Sequence, residues 1–320
     1  MNPAFGRFLR LKRARFGSLL LAVLAFVAVF ADFFASDAPI VMTVEGNTYF
    51  LPAVTERERF GDRSIAEVAA MAEPDHAVVL PLLRVGPRGV AAGPPMAGPS
   101  LAHWLGTDAF GRDVLARVLH GTRVSLALGA SVALMALVFG YVLGTLAGAL
   151  GGVWDSAIER FVEIVGVFPA VVAVALVRAL EQRPSLLSLV LVTAAVGGAN
   201  IARLTRTLVL RALAEDWATA ARALGASPAR IAFVHVTPHL FAPLAVASVF
   251  AVASVALTET ALSFLDLGVP ATTVSWGEML GEVRWGAGAR ILGPAVLALG
   301  LTLTALYLVA DAIRKTFQNP

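Results

Sequence analysis

The chain of 320 residues contains no cysteine. That excludes disulfides, cysteine-ligated zinc or iron–sulfur sites, and a cysteine nucleophile. Lysine is nearly absent: of 25 basic residues only Lys12 and Lys315 are lysines, so arginine sets the cationic pattern. Only Lys315 is followed by Thr, and no glycine lies shortly before it. The phosphate loop G-x-x-x-x-G-K-[ST] is therefore missing, and this chain does not hydrolyse nucleotide by that route. No G-x-S-x-G elbow presents a serine nucleophile. Charge is also scarce. Asp, Glu, Lys and Arg make up 15% of the chain, against about 25% in an ordinary soluble domain. So few charges among so many apolar residues exclude intrinsic disorder and argue against a single soluble core.

What remains is apolar. Hydrophobic residues make up 58% of the chain, against about 45–50% in soluble domains. With a mean hydropathy of +0.78, a helical integral membrane protein is the default expectation. Stretches free of Asp, Glu, Lys and Arg run over Phe16–Ala31, Val124–Val153, Ile164–Val177, Pro184–Ala202, Ile231–Thr258 and Ile291–Ala310. A crossing takes about 20 mostly apolar residues. The third stretch is short, but Phe161 and Val162 extend it past the single Glu163; the fifth becomes apolar near Leu240, after His235 and His239. The expectation is an all-α bundle of six transmembrane helices.

Lys and Arg in short loops set orientation. Arg7, Arg10, Lys12, Arg13 and Arg15 precede the first stretch. Arg203, Arg206, Arg211, Arg222 and Arg230 lie between the fourth and fifth, and Arg314 and Lys315 follow the sixth. Six crossings place these clusters on one side, so both termini and the loop 206–238 are expected to be cytoplasmic. Arg178 and Arg183 run against the rule. A cleaved signal peptide is the alternative for the first stretch. A bundle that needs six crossings to place its basic loops favours a retained anchor. The expected organisation is a cytoplasmic segment 1–15, a first crossing 16–35, an external segment 36–103, a core 104–314 with five crossings, and a tail 315–320.

In the external segment, two β-prone runs, 39–44 and 48–51, flank Glu45-Gly46-Asn47 and read as a hairpin with a three-residue turn. Farther on, Thr107 or Asp108 is placed to cap a helix, Asp113 and Arg117 are spaced to pair on one face, and Val114, Leu115, Val118 and Leu119 form an apolar stripe. That suits a short helix lying in the outer interface. In the loop 206–238, Ala212–Leu224 reads as a helix with Glu215 and Asp216 early and Arg222 late. Gly225 sits where a helix end needs a left-handed residue, and Ser227-Pro228 opens a second helix. Thr219, Ala220, Ala221 and Leu224 present a surface of mostly small residues, so the loop reads as a docking knob.

His235 and His239 have a metal-ligand spacing, but no Glu follows His235 and Pro238 interrupts the helix, so an interfacial position is favoured over zinc. Glu163 and Glu259 are the ionisable residues in or near the spans that a proton relay could use. Pro169 and the series Gly140, Gly144, Gly148 read as kink and close-packing features, with pore lining as the alternative.

Three sets of residues, in order, resemble one family. They are Leu105-Gly106-Thr107-Asp108 with Gly111-Arg112-Asp113; Thr219-Ala220-Ala221-Arg222-Ala223-Leu224-Gly225-Ala226-Ser227; and Leu262-Ser263-Phe264-Leu265 with Leu267-Gly268-Val269 and Ser275-Trp276-Gly277. Together they resemble the C-type permease subunit of peptide-class (dipeptide, oligopeptide, nickel) ATP-binding-cassette importers. The segment from Ser36 to Phe50 resembles a subgroup associated with peptide-like antibiotics such as microcin C. The resemblance implies a permease of the binding-protein-dependent type. It also implies a second permease as heterodimer partner, two cytoplasmic ATPases that bind ATP and Mg²⁺, an external binding protein, and no cofactor or metal in this chain. Glu215, Asp216, Thr219, Ala220, Ala221, Leu224 and Gly225 would contact the ATPase as a coupling helix. The motif's usual glutamate is Thr219 here, its Ile-Leu-Pro ending is Val236-Thr237-Pro238, and Asp266 replaces a usual glycine. The alternatives from other classes are an ion-gradient-driven carrier and a membrane-anchored structural protein.

Overall fold

No water reaches a bilayer core, so each backbone group must bond within its own segment and the apolar runs become helices. A computed structural model describes residues 3–60, 65–72, 78–89, 93–181, 185–270, 273–282 and 288–318. Arg183, Pro184, the last two residues of the expected tail and parts of segment 36–103 lie outside the described residues. The first half contains α1 (Pro3–Arg10), α2 (Lys12–Val29), α3 (Ala31–Phe34), β1 (Val41–Val44), β2 (Asn47–Phe50), α4 (Pro52–Thr55), α5 (Arg57–Phe60) and α6 (Ile65–Ala70). There follow α7 (Val114–Leu150), α8 (Gly152–Val167), α9 (Ala170–Leu180), α10 (Leu186–Leu213), α11 (Asp216–Ala223) and α12 (Pro228–Arg230). A π-helical turn over Ile231–Val236 then leads to α13 (Thr237–Phe264), α14 (Trp276–Gly281) and α15 (Ala289–Gln318).

Among the described residues, Val114–Leu150, Leu186–Leu213, Pro228–Phe264 and Leu292–Phe317 are long and apolar enough to cross a membrane. The pair α8 and α9, bent by 84°, makes a fifth if it counts as one crossing. The fold is thus helical with four to five apolar spans, where the sequence predicts six. α2 falls outside that set because Lys12, Arg13 and Arg15 occupy its first turn. The third apolar stretch is two helices rather than one kinked helix: Phe168 is extended at φ −75° and ψ 124°, as sterics before a proline favour, and Pro169 restarts the helix.

The chain divides into two compact units, one of Met1–Leu21, Ala127–Ala261 and Thr302–Pro320, the other of Ala22–Leu126 and Leu262–Leu301. In the first, α7 and α10 approach through glycine. A Cβ added at Gly140 would lie 2.6 Å from Ile201 Cβ, at Gly144 2.4 Å from the Ala202 carbonyl oxygen, and at Gly148 2.8 Å from Val209 Cγ1. The glycine series is therefore a packing seam. The contact advances the same way along both helices, so they run parallel. α8 runs antiparallel to α10: Asp155 pairs with Arg206, whereas Gly166 faces Ala199 and Arg203. The bent pair thus returns the chain between two parallel helices. Arg13 pairs with Asp311 at 2.8 Å, and a Cβ at Gly17 would lie 2.9 Å from Leu308 Cβ. The start of α2 therefore lies antiparallel to the end of α15.

In the second unit, β1 and β2 pair antiparallel from Val41↔Phe50 to Val44↔Asn47. The hairpin loop is two residues, Glu45 (φ 52°) and Gly46 (φ 76°), rather than three. Two consecutive positive φ angles match the right-handed twist of the strands, and Asn47 is freed to join β2. Ala38, Met42, Val44, Phe60 and Val68 form a small core beneath it.

Candidate functional site

The first and third motifs meet in the second unit. Gly106 (φ 79°) and Gly111 (φ 77°) turn the chain, and a Cβ at Gly106 would lie 2.4 Å from the Ala97 carbonyl oxygen. The Thr107 hydroxyl donates to the Pro94 carbonyl at 2.5 Å and accepts from Ala97 N–H at 2.9 Å. Asp108 Oδ1 accepts from the N–H groups of Phe110 (2.8 Å) and Arg112 (2.9 Å), which closes the loop. The expected interfacial helix is absent as a separate element: α7 starts at Val114 and runs on through residue 150. No proline intervenes, and Leu, Ala and Arg favour continuation. Its cap is Asp113, not Thr107 or Asp108, with Asp113 Oδ1 accepting from Ala116 N–H at 2.8 Å.

The spacing predicts an Asp113–Arg117 pair, and the structure breaks that pairing. Asp113 Oδ2 contacts His103 Nδ1 at 2.8 Å. Arg117, fully buried, instead donates to Asp108 (2.6 Å), Glu278 (2.6 Å) and Glu282 (2.6 Å). Arg112 donates to Asp108 Oδ2 at 2.6 Å and to Glu282 Oε1. Three carboxylates thus face two guanidinium groups. Burial pushes the Glu278 carboxyl up to about 7 despite Arg117, and Glu282 beside it adds to the rise. Burial also acts upward on Glu282, but its hydrogen bond to Arg117 and the charges of Arg117 and Arg112 outweigh that and hold it low. Sequence inspection passes over His103, Glu278 and Glu282; the usable signal is two carboxylates four apart beside a tryptophan in an otherwise apolar region. Ser275 caps α14 by accepting from Glu278 N–H at 3.0 Å. Buried Trp276 donates from Nε1 to the Val118 carbonyl at 3.2 Å. A Cβ at Gly268 would lie 2.0 Å from Ser263 Oγ, so that glycine serves close packing. Asp266 has φ 61° and closes α13, with its N–H donating to the Ser263 carbonyl at 3.1 Å. That left-handed position is one that glycine adopts without strain and aspartate tolerates.

The second motif forms a separate site in the first unit. The helix expected over 212–224 is interrupted: α10 ends at Leu213, Glu215 is extended, and α11 begins at Asp216. Arg222 reaches back to the Leu213 carbonyl at 2.6 Å and caps α10. Gly225 (φ 86°) ends α11. Its N–H donates to the Arg222 carbonyl at 2.9 Å, and Ala226 N–H donates to that of Ala221 at 3.1 Å. This is a Schellman turn. Ser227 Oγ then accepts from Arg230 N–H at 3.3 Å and starts α12. Glu215, Asp216, Thr219, Ala220 and Gly225 are exposed, Ala221 is half-buried, and Leu224 is 88% exposed. Ala218 is buried and anchors α11. Trp217, which sequence inspection also missed, stacks on His239 with ring centroids 6.0 Å apart.

Residues 140–319 match the family described as the binding-protein-dependent transport system inner membrane component. The chain belongs to that family. It is a multi-pass inner-membrane permease subunit of an ATP-binding-cassette importer, of the C type found in peptide-class systems, and such a permease works with further components. The dipeptide transport system permease protein DppC of Alkalihalophilus pseudofirmus is 35% identical over 68% of this chain and 72% of its own length. The glutathione transport system permease protein GsiD of Pectobacterium atrosepticum is 36% identical over 68% of this chain and 72% of its own. The inner membrane ABC transporter permease protein YejE of Escherichia coli is 29% identical over 98% of this chain and 95% of its own. The YejE match therefore extends beyond the permease core into segment 36–103.

Proposed function

We propose that this permease passes peptides or peptide-like molecules across the membrane by alternating access. It pairs with a second permease, two cytoplasmic ATPases bind ATP and Mg²⁺ and drive the cycle, and an external binding protein delivers the substrate. Hydrolysis and its cofactors belong to the partners. Relatives named for dipeptide and glutathione transport support the substrate class. A narrower substrate, a peptide-like antibiotic such as microcin C, rests on segment 36–103, which the YejE match also covers.

The observation that carries the coupling role is the exposed turn of α11, Gly225 and α12, held by a Schellman motif between two long apolar helices. Such a rigid small-residue knob fits a groove on an ATPase. Exposed Asp216 and Glu215 supply the charge that Thr219 lacks. In this topology α2 is the sixth crossing and both termini and the loop 206–238 are cytoplasmic. The pairing of Arg13 with Asp311 supports an even number of crossings. The test is isolation of the tagged chain in mild detergent followed by mass spectrometry. Recovery of a second permease and nucleotide-binding subunits is the expected result. Recovery of the chain alone, from an extraction known to preserve such complexes, would overturn it. Uptake that survives ATP depletion but stops when the proton gradient collapses would point to the ion-driven alternative.

A further inference from the structure

A cavity of about 390 Å³ lies among α7, α9, α10 and α13 within the first unit. It falls at the lower end of ligand-site volumes, about 300–1,000 Å³. Among the described residues no Asp, Glu, Lys, Arg or His lines it; its polar groups are Thr193, Asn200, Ser254 and Thr258. Hydroxyls on the membrane-spanning helices usually satisfy themselves on the carbonyl one turn back. Thr205 donates to Ile201 at 2.7 Å, Ser248 to Leu244 at 2.8 Å and Thr260 to Ala256 at 2.9 Å. Thr193 departs from this pattern: it is 6% exposed and its Oγ1 has no hydrogen-bond partner among the described residues. Thr145 shares that state but lies outside the cavity wall. A buried orphan hydroxyl on a cavity wall is a group waiting for a partner.

We infer that this cavity holds the transported molecule on its way across, and that Thr193, Asn200 and Ser254 bind main-chain amides of a short peptide. Hydroxyl and carboxamide groups both donate and accept, as an amide requires. A wall without charge gives a charged side chain no partner and penalises its burial, so the contact reads the backbone and favours uncharged residues such as alanine. The inference rests on the proposed peptide function and adds the residues that grip the cargo.

The assembled importer, reconstituted in proteoliposomes with trialanine as the probe, tests it. Thr193→Val keeps the shape and removes the hydroxyl; we expect KM for uptake to rise about fivefold, the worth of one hydrogen bond. Gly197 lines the cavity, and a Cβ there would lie 3.7 Å from its nearest neighbour, Ala136 Cβ, so Gly197→Leu should narrow the cavity and block uptake. The chain lacks cysteine, so Ser254→Cys or Leu257→Cys puts a single maleimide target in this subunit, read on its own band after the importer is separated; Leu257 is 51% exposed on the same helix but does not line the cavity. Trialanine during turnover should protect the thiol introduced at 254 and not that at 257. Unchanged KM in Thr193→Val together with unprotected labelling at 254, while the wild type transports trialanine, overturns this inference alone. A wild-type importer that takes up no trialanine overturns the peptide function and this inference with it.

Discussion

Arg117 and Glu278 stand 161 residues apart in the chain and meet at 2.6 Å. Through that contact the loop at 105–113, the first turn of α7 and the short helix α14 become one charge-paired cluster in the second unit, with Asp108, Arg112 and Glu282 as its other members. The signature residues thereby acquire a structural role: they fix how the long helix begins.

Removing one partner of a buried pair leaves an uncompensated charge, at about 3–5 kcal/mol. Arg117→Met would leave Asp108, Glu278 and Glu282 with Arg112 as their remaining ion-pair partner among the described residues. Its melting temperature in detergent should fall sharply, and an unchanged melting temperature would show that the cluster does not hold the unit together.

The pH dependence has a definite sign. The Glu278 carboxyl stands higher in the fold, at about 7, than its ordinary 4.5. Its contribution to stability is therefore full below the ordinary value and is lost as pH rises through the raised one. Glu282, held low, acts oppositely and loses its contribution in acid. Melting temperature should decline from about pH 5 to about pH 8, and Glu278→Gln should flatten that decline. An equal slope in both proteins would assign it to other groups.

Among the described residues nothing lies within 4 Å of a Cβ built at Gly225, so substitution there acts through the backbone angle of 86°. Gly225→Val should strain the turn by about 1–2 kcal/mol, whereas asparagine visits this region readily. Membrane insertion should survive in both variants. Uptake should fail in Gly225→Val and persist in Gly225→Asn; normal uptake by Gly225→Val would argue against a coupling role.

The α7–α10 seam discriminates between glycines. A Cβ at Gly144 would lie 2.4 Å from a backbone oxygen, while one at Gly197 has 3.7 Å of room. Gly144→Ala should destabilise by about 1–3 kcal/mol, the range for overpacking. Gly197→Ala should be neutral or slightly stabilising through helix propensity. Thermal unfolding of both variants under one detergent condition checks the contrast.

Much of this protein was legible in its residues. Long runs without charge dictate helices, because an apolar solvent leaves the backbone no other partner. The turn at Gly225 was readable because its cause is local: glycine ends one helix, and Ser227 with Pro228 starts the next. The hairpin was readable for the same reason, although its loop is one residue shorter than the composition suggests. The choice of partner for each charge was not local. Asp113 and Arg117 have the spacing of a pair, yet Asp113 caps α7 and contacts His103 while Arg117 turns to Glu278 and Glu282. A buried guanidinium goes where the most carboxylate oxygens converge, and only tertiary folding brings residues 108, 278 and 282 to one point. Likewise, Pro169 announces an interruption, but its 84° bend and the parallel run of α7 and α10 depend on how the helices pack. Composition and local turn chemistry were enough for the membrane solvent, the helical class and the turn at Gly225, because their causes lie within a few residues; which charges neutralise one another, and which buried hydroxyl beside the cavity lacks a partner, depended on packing between distant segments.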